Sequence, residues 1–271
     1  MALIPLSNLC LVILSGYVLN ISYSPPSGSL KIPPVPTMRS PWPVWREYLL
    51  VRGFGATLVP VQRVTYVVVT ALESAYIASS ILRLSSTSAE PNPGLTPLET
   101  NSTGVTLLPS PTSPRPSRLA ILGLIIGVSG CLLRIACYRA LGNDFKFENT
   151  AAEKLVTTGP YSLVRHPGYL GFWLILIGLP WYHLSRGSWI IESGFLDWQA
   201  TGIPIGKMMV YGWILISLCV GALLTARAGY EDMLLKKQFG REWQEWSRRV
   251  RFKVIPGAKE IASPPSITTQ K

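Results

Sequence analysis

The chain has 271 residues, 48% of them hydrophobic and 14% charged, with a mean hydropathy of +0.30. A soluble domain carries about 25% charged residues, so this composition excludes an ordinary soluble enzyme, and the apolar content excludes a disordered chain. The 25 Lys and Arg against 14 Asp and Glu give a net charge of +11; the cations flank long apolar runs, which points to membrane flanks and away from nucleic acid.

Five stretches approach the roughly 20 apolar residues that a membrane helix needs. Ala2–Ile21 is uncharged. It lacks a basic leader and its apolar run is long for a cleaved signal, so it reads as a retained anchor. Arg63–Leu82 contains Glu73, and Leu119–Tyr138 contains Arg134. Ionisable residues inside a span are costly and face the protein interior. Gly168–Leu184 is uncharged but short, and Lys207–Ala226 has only Lys207 at its edge. Gly123 and Gly127, with Gly130 nearby, let the third span approach a neighbour closely. The fold expected is an all-α integral membrane protein of about five transmembrane helices, with a cytosolic C-terminal helical region.

Basic residues mark the orientation. Ser22–Arg63 holds Lys31, Arg39, Arg46, Arg52 and Arg63; Arg139–Arg165 holds Arg139, Lys146, Lys154 and Arg165; Arg186 stands alone in Ser185–Gly206; and nine cations lie between Arg227 and Lys259. The positive-inside rule puts Ser22–Arg63, Arg139–Arg165 and the segment after Arg227 in the cytosol, so the C-terminus is cytosolic. Asn101-Ser102-Thr103, a glycosylation pattern, then falls in the lumen. Residues 1–84 form two helices around a Pro-rich linker at 22–43; 85–118 is a Ser/Thr/Pro-rich loop expected to be disordered; 119–256 holds three helices and the candidate site; 257–271 is a tail.

The candidate chemistry lies in two segments. The first is Gly159-Pro160-Tyr161-Ser162-Leu163-Val164-Arg165-His166-Pro167-Gly168-Tyr169-Leu170-Gly171. Its prolines and glycines preclude one regular helix. Irregular backbone at the mouth of a span must be covered or line a cavity, where it offers polar groups to a ligand. The second runs from Arg227 to Trp246, where Leu235, Phe239, Trp243 and Trp246 share one face of an amphipathic helix. Arg227 and Glu231 stand four residues apart and share another face. They read either as a helix-stabilising ion pair or as a paired cation and anion at a cavity mouth. Cys10, Cys131, Cys137 and Cys219 form no CxxC pair, and His166 and His183 are too few to build a metal site, so no metal is expected.

At these residues the sequence resembles the isoprenylcysteine carboxyl methyltransferases, and a fungal-like member among them. The resemblance rests on Leu155-Val156-Thr157-Thr158, Gly159-Pro160-Tyr161, Arg165-His166-Pro167-Gly168-Tyr169-Leu170-Gly171, Arg227, Glu231-Asp232, Leu234-Leu235, Phe239-Gly240 and Trp243. It covers about Ala140–Pro256. Parts of the pattern are shared with phospholipid methyltransferases.

The resemblance implies a multi-pass enzyme of the endoplasmic reticulum membrane. It would methylate the C-terminal carboxylate of prenylated, CaaX-processed proteins with S-adenosyl-L-methionine. It implies cofactor contacts from Glu153, Lys154, Leu155, Val156, Tyr161, His166, Pro167, Gly168, Tyr169 and Glu231, with Lys146 another candidate. It implies that Arg227 meets the substrate carboxylate and that Arg227 and Glu231 together carry catalysis. The sequence departs from the pattern at Glu153, often His in relatives, at Gly229, often basic, at Asp232, commonly Glu, and at Trp243, commonly Tyr. Two alternatives stay open: a methyltransferase acting on a phospholipid amine or other small lipid, and a non-catalytic membrane scaffold.

Overall fold

The computed structural model describes residues 3–23, 56–86, 105, 116–142 and 154–257. These residues are helical and contain no β-strand, only an isolated bridge between Ala200 and Ile203. The helices are α1 (Leu3–Ser22), α2 (Ala56–Ser86), α3 (Arg118–Leu141), α4 (Pro167–His183), the short α5 (Trp189–Glu192), α6 (Ile205–Phe239) and α7 (Arg241–Arg249). Single 3-10 turns lie at Gly159–Ser162 and Phe195–Asp197. Most of the Pro-rich linker, most of the 85–118 loop with Asn101, Lys146, Glu153 and the tail beyond Gly257 lie outside the described residues.

Among the described residues, three helices are long and apolar enough to cross a membrane: Pro60–Leu82 within α2, Arg118–Leu141 and Ile205–Phe239. The other two expected spans are also helices, but shorter in apolar length. In α1 the apolar stretch is Leu6–Ser22, and α4 has 17 residues. Pro167 starts α4 at a position where its missing N–H costs nothing. Three candidate spans therefore stand where five were expected. Glu73 lies inside the bundle as anticipated, 1% exposed, and its Oε2 accepts the backbone N–H of Trp189 at 2.8 Å.

Small residues set the central contact. A Cβ at Gly130 would meet the Gly171 carbonyl at 2.5 Å, and one at Gly123 would meet the Gly178 carbonyl at 2.8 Å. A Cβ at Gly178 would collide with the backbone of Gly127. The glycines of the third span therefore serve packing within the bundle, against α4. Val12, Leu19, Tyr76, Leu124, Cys131, Ile175 and Leu179 fill the core around this contact.

One expected element is broken. The face through Leu235, Phe239, Trp243 and Trp246 does not lie on a single helix. Gly240 adopts φ +51°, ends α6 and starts α7. A positive φ with this ψ is open to glycine and strained for other residues, so the chain turns there and carries Trp246 onto the site loop.

The 35 residues of α6 span about 52 Å at 1.5 Å per residue, against a hydrocarbon core of about 30 Å. Its charged residues from Arg227 onward occupy the excess length, so this end stands above the membrane.

The close approach is testable by substitution. Gly178→Leu forces overpacking against backbone, which costs roughly 1–3 kcal/mol or more. The thermal midpoint of the purified protein is expected to drop sharply. Gly212→Ala, where an added Cβ meets nothing within 4 Å, is expected to leave it unchanged.

Candidate functional site

The site forms where the loop before α4 meets the emergent end of α6. Gly159, with φ +61°, opens the 3-10 turn, and Pro167 starts α4. Between them the backbone is held by the C-terminal segment. The Arg165 N–H donates to the Phe252 carbonyl at 2.9 Å and the His166 N–H to the Lys253 carbonyl at 2.8 Å. From the other side, the indole N–H of Trp246, 2% exposed, donates to the Tyr161 carbonyl at 3.1 Å. The turn at Gly240 is what brings Trp246 there.

His166 projects between two adjacent carboxylates of α6. Its Nε2 lies 2.9 Å from Asp232 Oδ1 and its Nδ1 3.3 Å from Glu231 Oε2. Burial disfavours the charged ring, but the hydrogen bonds and charges of Asp232 and Glu231 outweigh it and raise the His166 pKa to about 9. At neutral pH His166 is therefore an imidazolium with both N–H groups directed at carboxylates.

The two carboxylates differ in surroundings. Asp232, its side chain 9% exposed, also faces Arg165 at 3.3 Å and Lys253 at 3.8 Å. The Arg165 guanidinium lies over the Trp243 ring at 5.8 Å, and the Lys236 ammonium lies 6.0 Å from the same ring. Glu231 is more open, at 24%. Its Oε1 accepts the Tyr169 hydroxyl at 2.7 Å and pairs with Arg227 Nε at 3.1 Å. The Tyr169 ring stacks on His166 with centroids 5.8 Å apart and planes at 17°.

Arg227, Glu231, His166 and Tyr169 are thus brought together as the sequence suggested. The Arg227–Glu231 pair is more than a helix-surface bridge, because the loop before α4 and the start of α4 converge on the same carboxylate. Pro167 is buried and fixes the start of α4. Gly168 has nothing within 4 Å where a Cβ would stand. The Tyr161 carbonyl accepts from the Trp246 indole, and its half-buried side chain faces Cys137 and Tyr138 of α3, within reach of the Glu231 charge. Leu155 and Val156 are half-buried and Lys154 exposed, leading into the loop. Sequence reasoning put Arg165 in the candidate loop and Asp232 in the motif but gave neither a role, and it did not single out Lys253. The signal for Asp232 was its position next to Glu231; Lys253 comes from a segment with no motif. Among the described residues no group of His, Cys, Asp and Glu could hold a metal ion.

Residues 119–192 match the family model for phospholipid methyltransferase. This range contains α3, the site loop, α4 and α5 but stops short of Arg227. The chain is 26% identical over 167 residues to the Delta(14)-sterol reductase ERG24A of Gibberella zeae, covering 54% of this chain and 34% of that protein. It is 32% identical over 116 residues to the Delta(14)-sterol reductase erg24A of Aspergillus fumigatus, covering 41% and 23%. It is also 26% identical over 136 residues to a probable protein-S-isoprenylcysteine O-methyltransferase of Oryza sativa subsp. japonica, covering 49% and 59%. The chain thus spans about a third or less of these reductases and under two thirds of the rice protein. No solved structure matches at a significant level.

The raised pKa of His166 sets a pH dependence. Its folded value, about 9, lies above the ordinary 6.5, so its contribution to stability is complete below about pH 6.5 and is lost as the pH rises through about 9. The thermal midpoint is expected to fall across that interval. In His166→Gln the midpoint should be lower at neutral pH and the fall much shallower, as read by thermal shift from pH 6 to 10.

Proposed function

We propose that this protein is a membrane methyltransferase that esterifies the C-terminal carboxylate of prenylated, CaaX-processed proteins, with S-adenosyl-L-methionine as donor. The observation that carries this reading is the mutual pairing of the site's titratable groups. His166 is an imidazolium held by two carboxylates, and Glu231 already accepts from Tyr169 and faces Arg227 and His166. Neither is a ready general base. A terminal carboxyl, with a pKa of about 3.5, is ionised at neutral pH and needs no base to attack. A phospholipid ammonium must first lose a proton, and this cluster offers no evident acceptor for it.

The donor set fits the proposed cofactor. Glu231 presents a partly open carboxylate, and Gly168 leaves space beside the loop where a side chain would stand. Tyr169, Glu231, His166, Pro167 and Gly168 would hold the cofactor, with Tyr161 and the 153–156 lead-in at its edge. When bound, S-adenosylmethionine supplies an electrophilic methyl on a sulfonium.

Arg227 is buried enough to be desolvated, at 13%, and presents a planar fork that can orient a carboxylate. Its pairing with Glu231 fixes its stem and keeps the two recognition tasks adjacent. An anion meeting a cation loses charge on the way to the transition state, so a site that excludes water assists the reaction, and proximity supplies up to roughly 7–11 kcal/mol. The membrane would hold the prenyl chain beside the spans, with its carboxylate at the level of Arg227. The endoplasmic reticulum membrane, with the C-terminus cytosolic, is the proposed location.

The family match favours one other reading, methylation of a phospholipid amine, and the sterol reductase relatives favour another, reduction of a sterol. Both of His166's protons face carboxylates, which weakens it as a proton donor to a sterol double bond. The deciding experiment supplies membranes containing this chain with S-adenosylmethionine carrying a labelled methyl and a farnesylated cysteine analogue. Base-labile methyl ester is expected, abolished in Glu231→Ala. In Arg227→Lys ester formation should fall at least about tenfold, the scale of one charged hydrogen bond, while cofactor binding survives. Label appearing in phospholipid would replace the carboxylate with an amine substrate. Sterol-dependent oxidation of a reduced nicotinamide nucleotide, with no methyl transferred, would overturn the methyltransferase reading.

A further inference from the structure

Arg134 sits inside α3, in contact with three elements at once. Its Nε donates to the carbonyl of Ser22, the last residue of α1, at 3.1 Å. One terminal nitrogen donates to the Tyr138 hydroxyl at 2.6 Å, and Tyr138 in turn donates to the same Ser22 carbonyl at 2.8 Å. The other terminal nitrogen donates to the carbonyl of Gly168 at 3.3 Å. The rings of Tyr23, Tyr138 and Phe172 surround the guanidinium within 5.8 Å of their centroids.

Two neighbouring glycines are shaped by this side chain. A Cβ at Gly171 would meet Arg134 Cγ at 2.8 Å, so Gly171 is what lets the arginine stem pass under α4. At Gly168 the space where a Cβ would stand is open, with nothing within 4 Å. The first turn of α4 is therefore gripped through its carbonyl and left clear where a side chain would be. Ser22 needs a donor because a helix leaves its last carbonyls unsatisfied. Tyr138 alone already supplies one. The bond to Gly168 is the part of the arrangement that helix capping does not require.

We propose that Arg134 is a positioning residue for the His166–Tyr169 segment: by tying the Gly168 carbonyl to the end of α1, it fixes the backbone wall against which the methyl donor binds. This rests on the methyltransferase reading for the identity of the ligand, but the clamp itself does not. It makes α1, which contributes no residue to the site, part of the site's support. It also predicts that a residue touching neither carboxylate governs cofactor affinity.

The test uses the full chain in lipid nanodiscs. Three variants are compared with wild type: Arg134→Gln, Arg134→Lys and Tyr138→Phe, the last removing one of the two donors to the Ser22 carbonyl while leaving the arginine on Ser22 and Gly168. Two quantities are read: the dissociation constant for S-adenosylmethionine, and hydrogen exchange of the Tyr169–Phe172 amides without ligand. Arg134→Gln is expected to weaken cofactor binding about tenfold, the scale of one hydrogen bond from a charged donor, and to speed exchange in the first turn of α4. Arg134→Lys, which keeps the charge but cannot reach both carbonyls as a fork does, should fall between, and it carries the same comparison if the glutamine variant does not accumulate. Tyr138→Phe should lower the thermal midpoint yet leave both readouts as in wild type. Unchanged cofactor binding and exchange in Arg134→Gln would overturn the proposal. So would equal losses in Tyr138→Phe, which would reduce Arg134 to general stabilisation. Wild type that shows the arginine-dependent exchange but takes no S-adenosylmethionine would instead sink the methyltransferase reading and leave the clamp standing.

Discussion

The arrangement of the site depends on one buried cation, the His166 imidazolium, lying between Glu231 and Asp232. Two adjacent carboxylates on one helix repel each other, and burial adds to the cost of holding both ionised. A ring with a donor on each side answers both, at 2.9 and 3.3 Å. The same contact joins the loop before α4 to the emergent end of α6, two segments more than sixty residues apart. Removing the ring would leave two neighbouring buried anions with only part of their compensation, so the loop and the helix would separate there first. The bond is charge-assisted on both sides, which is the strong kind.

The membrane imposes the rest. Backbone that leaves helical geometry at the edge of a bilayer needs partners of its own. The loop gets them from three directions: the carbonyls of Phe252 and Lys253, the indole of Trp246 and the guanidinium of Arg134. Arg134 is the costliest of these, because an arginine inside a membrane helix is expensive unless its donors are satisfied. Its bonds to two backbone carbonyls and a tyrosine, with aromatic rings around it, offset that cost. The glycines of α3 and α4 have a related role. By allowing backbone-to-backbone approach they fix the height of α4 relative to α3, and so the level at which the loop emerges.

Parts of this were legible in the sequence. The helix-period pair Arg227–Glu231 and the Arg165-His166-Pro167 run announced themselves by charge in an otherwise apolar setting, and the third span's small residues announced close packing. The break at Gly240 was not read, because Leu235, Phe239, Trp243 and Trp246 keep helical spacing straight through it. A single glycine with positive φ is enough to redirect a face that periodicity alone makes continuous. Lys253 and the carbonyls beside it were invisible for a different reason. Their contribution depends on where a nonhelical segment returns in space, and no local pattern encodes that. Arg134 was legible as an expensive residue but not as a clamp, since its partners are backbone atoms that any sequence supplies.

The two carboxylates divide the site into a closed half and an open half. Asp232 faces Arg165, His166 and Lys253 and is nearly sealed, whereas Glu231 keeps about a quarter of its surface exposed beside Arg227. A sealed ion cluster holds geometry; a partly open one can exchange a partner for a ligand. Of the two ion pairs, only Arg227–Glu231 can therefore change its bonding without unfolding its surroundings. The cations around the two anions are four, His166 included, and the surplus positive charge favours a substrate that brings in negative charge. The proposed carboxylate substrate would do so, its ionised form being already the attacking one, so that the charge recruiting it would be the charge that reacts.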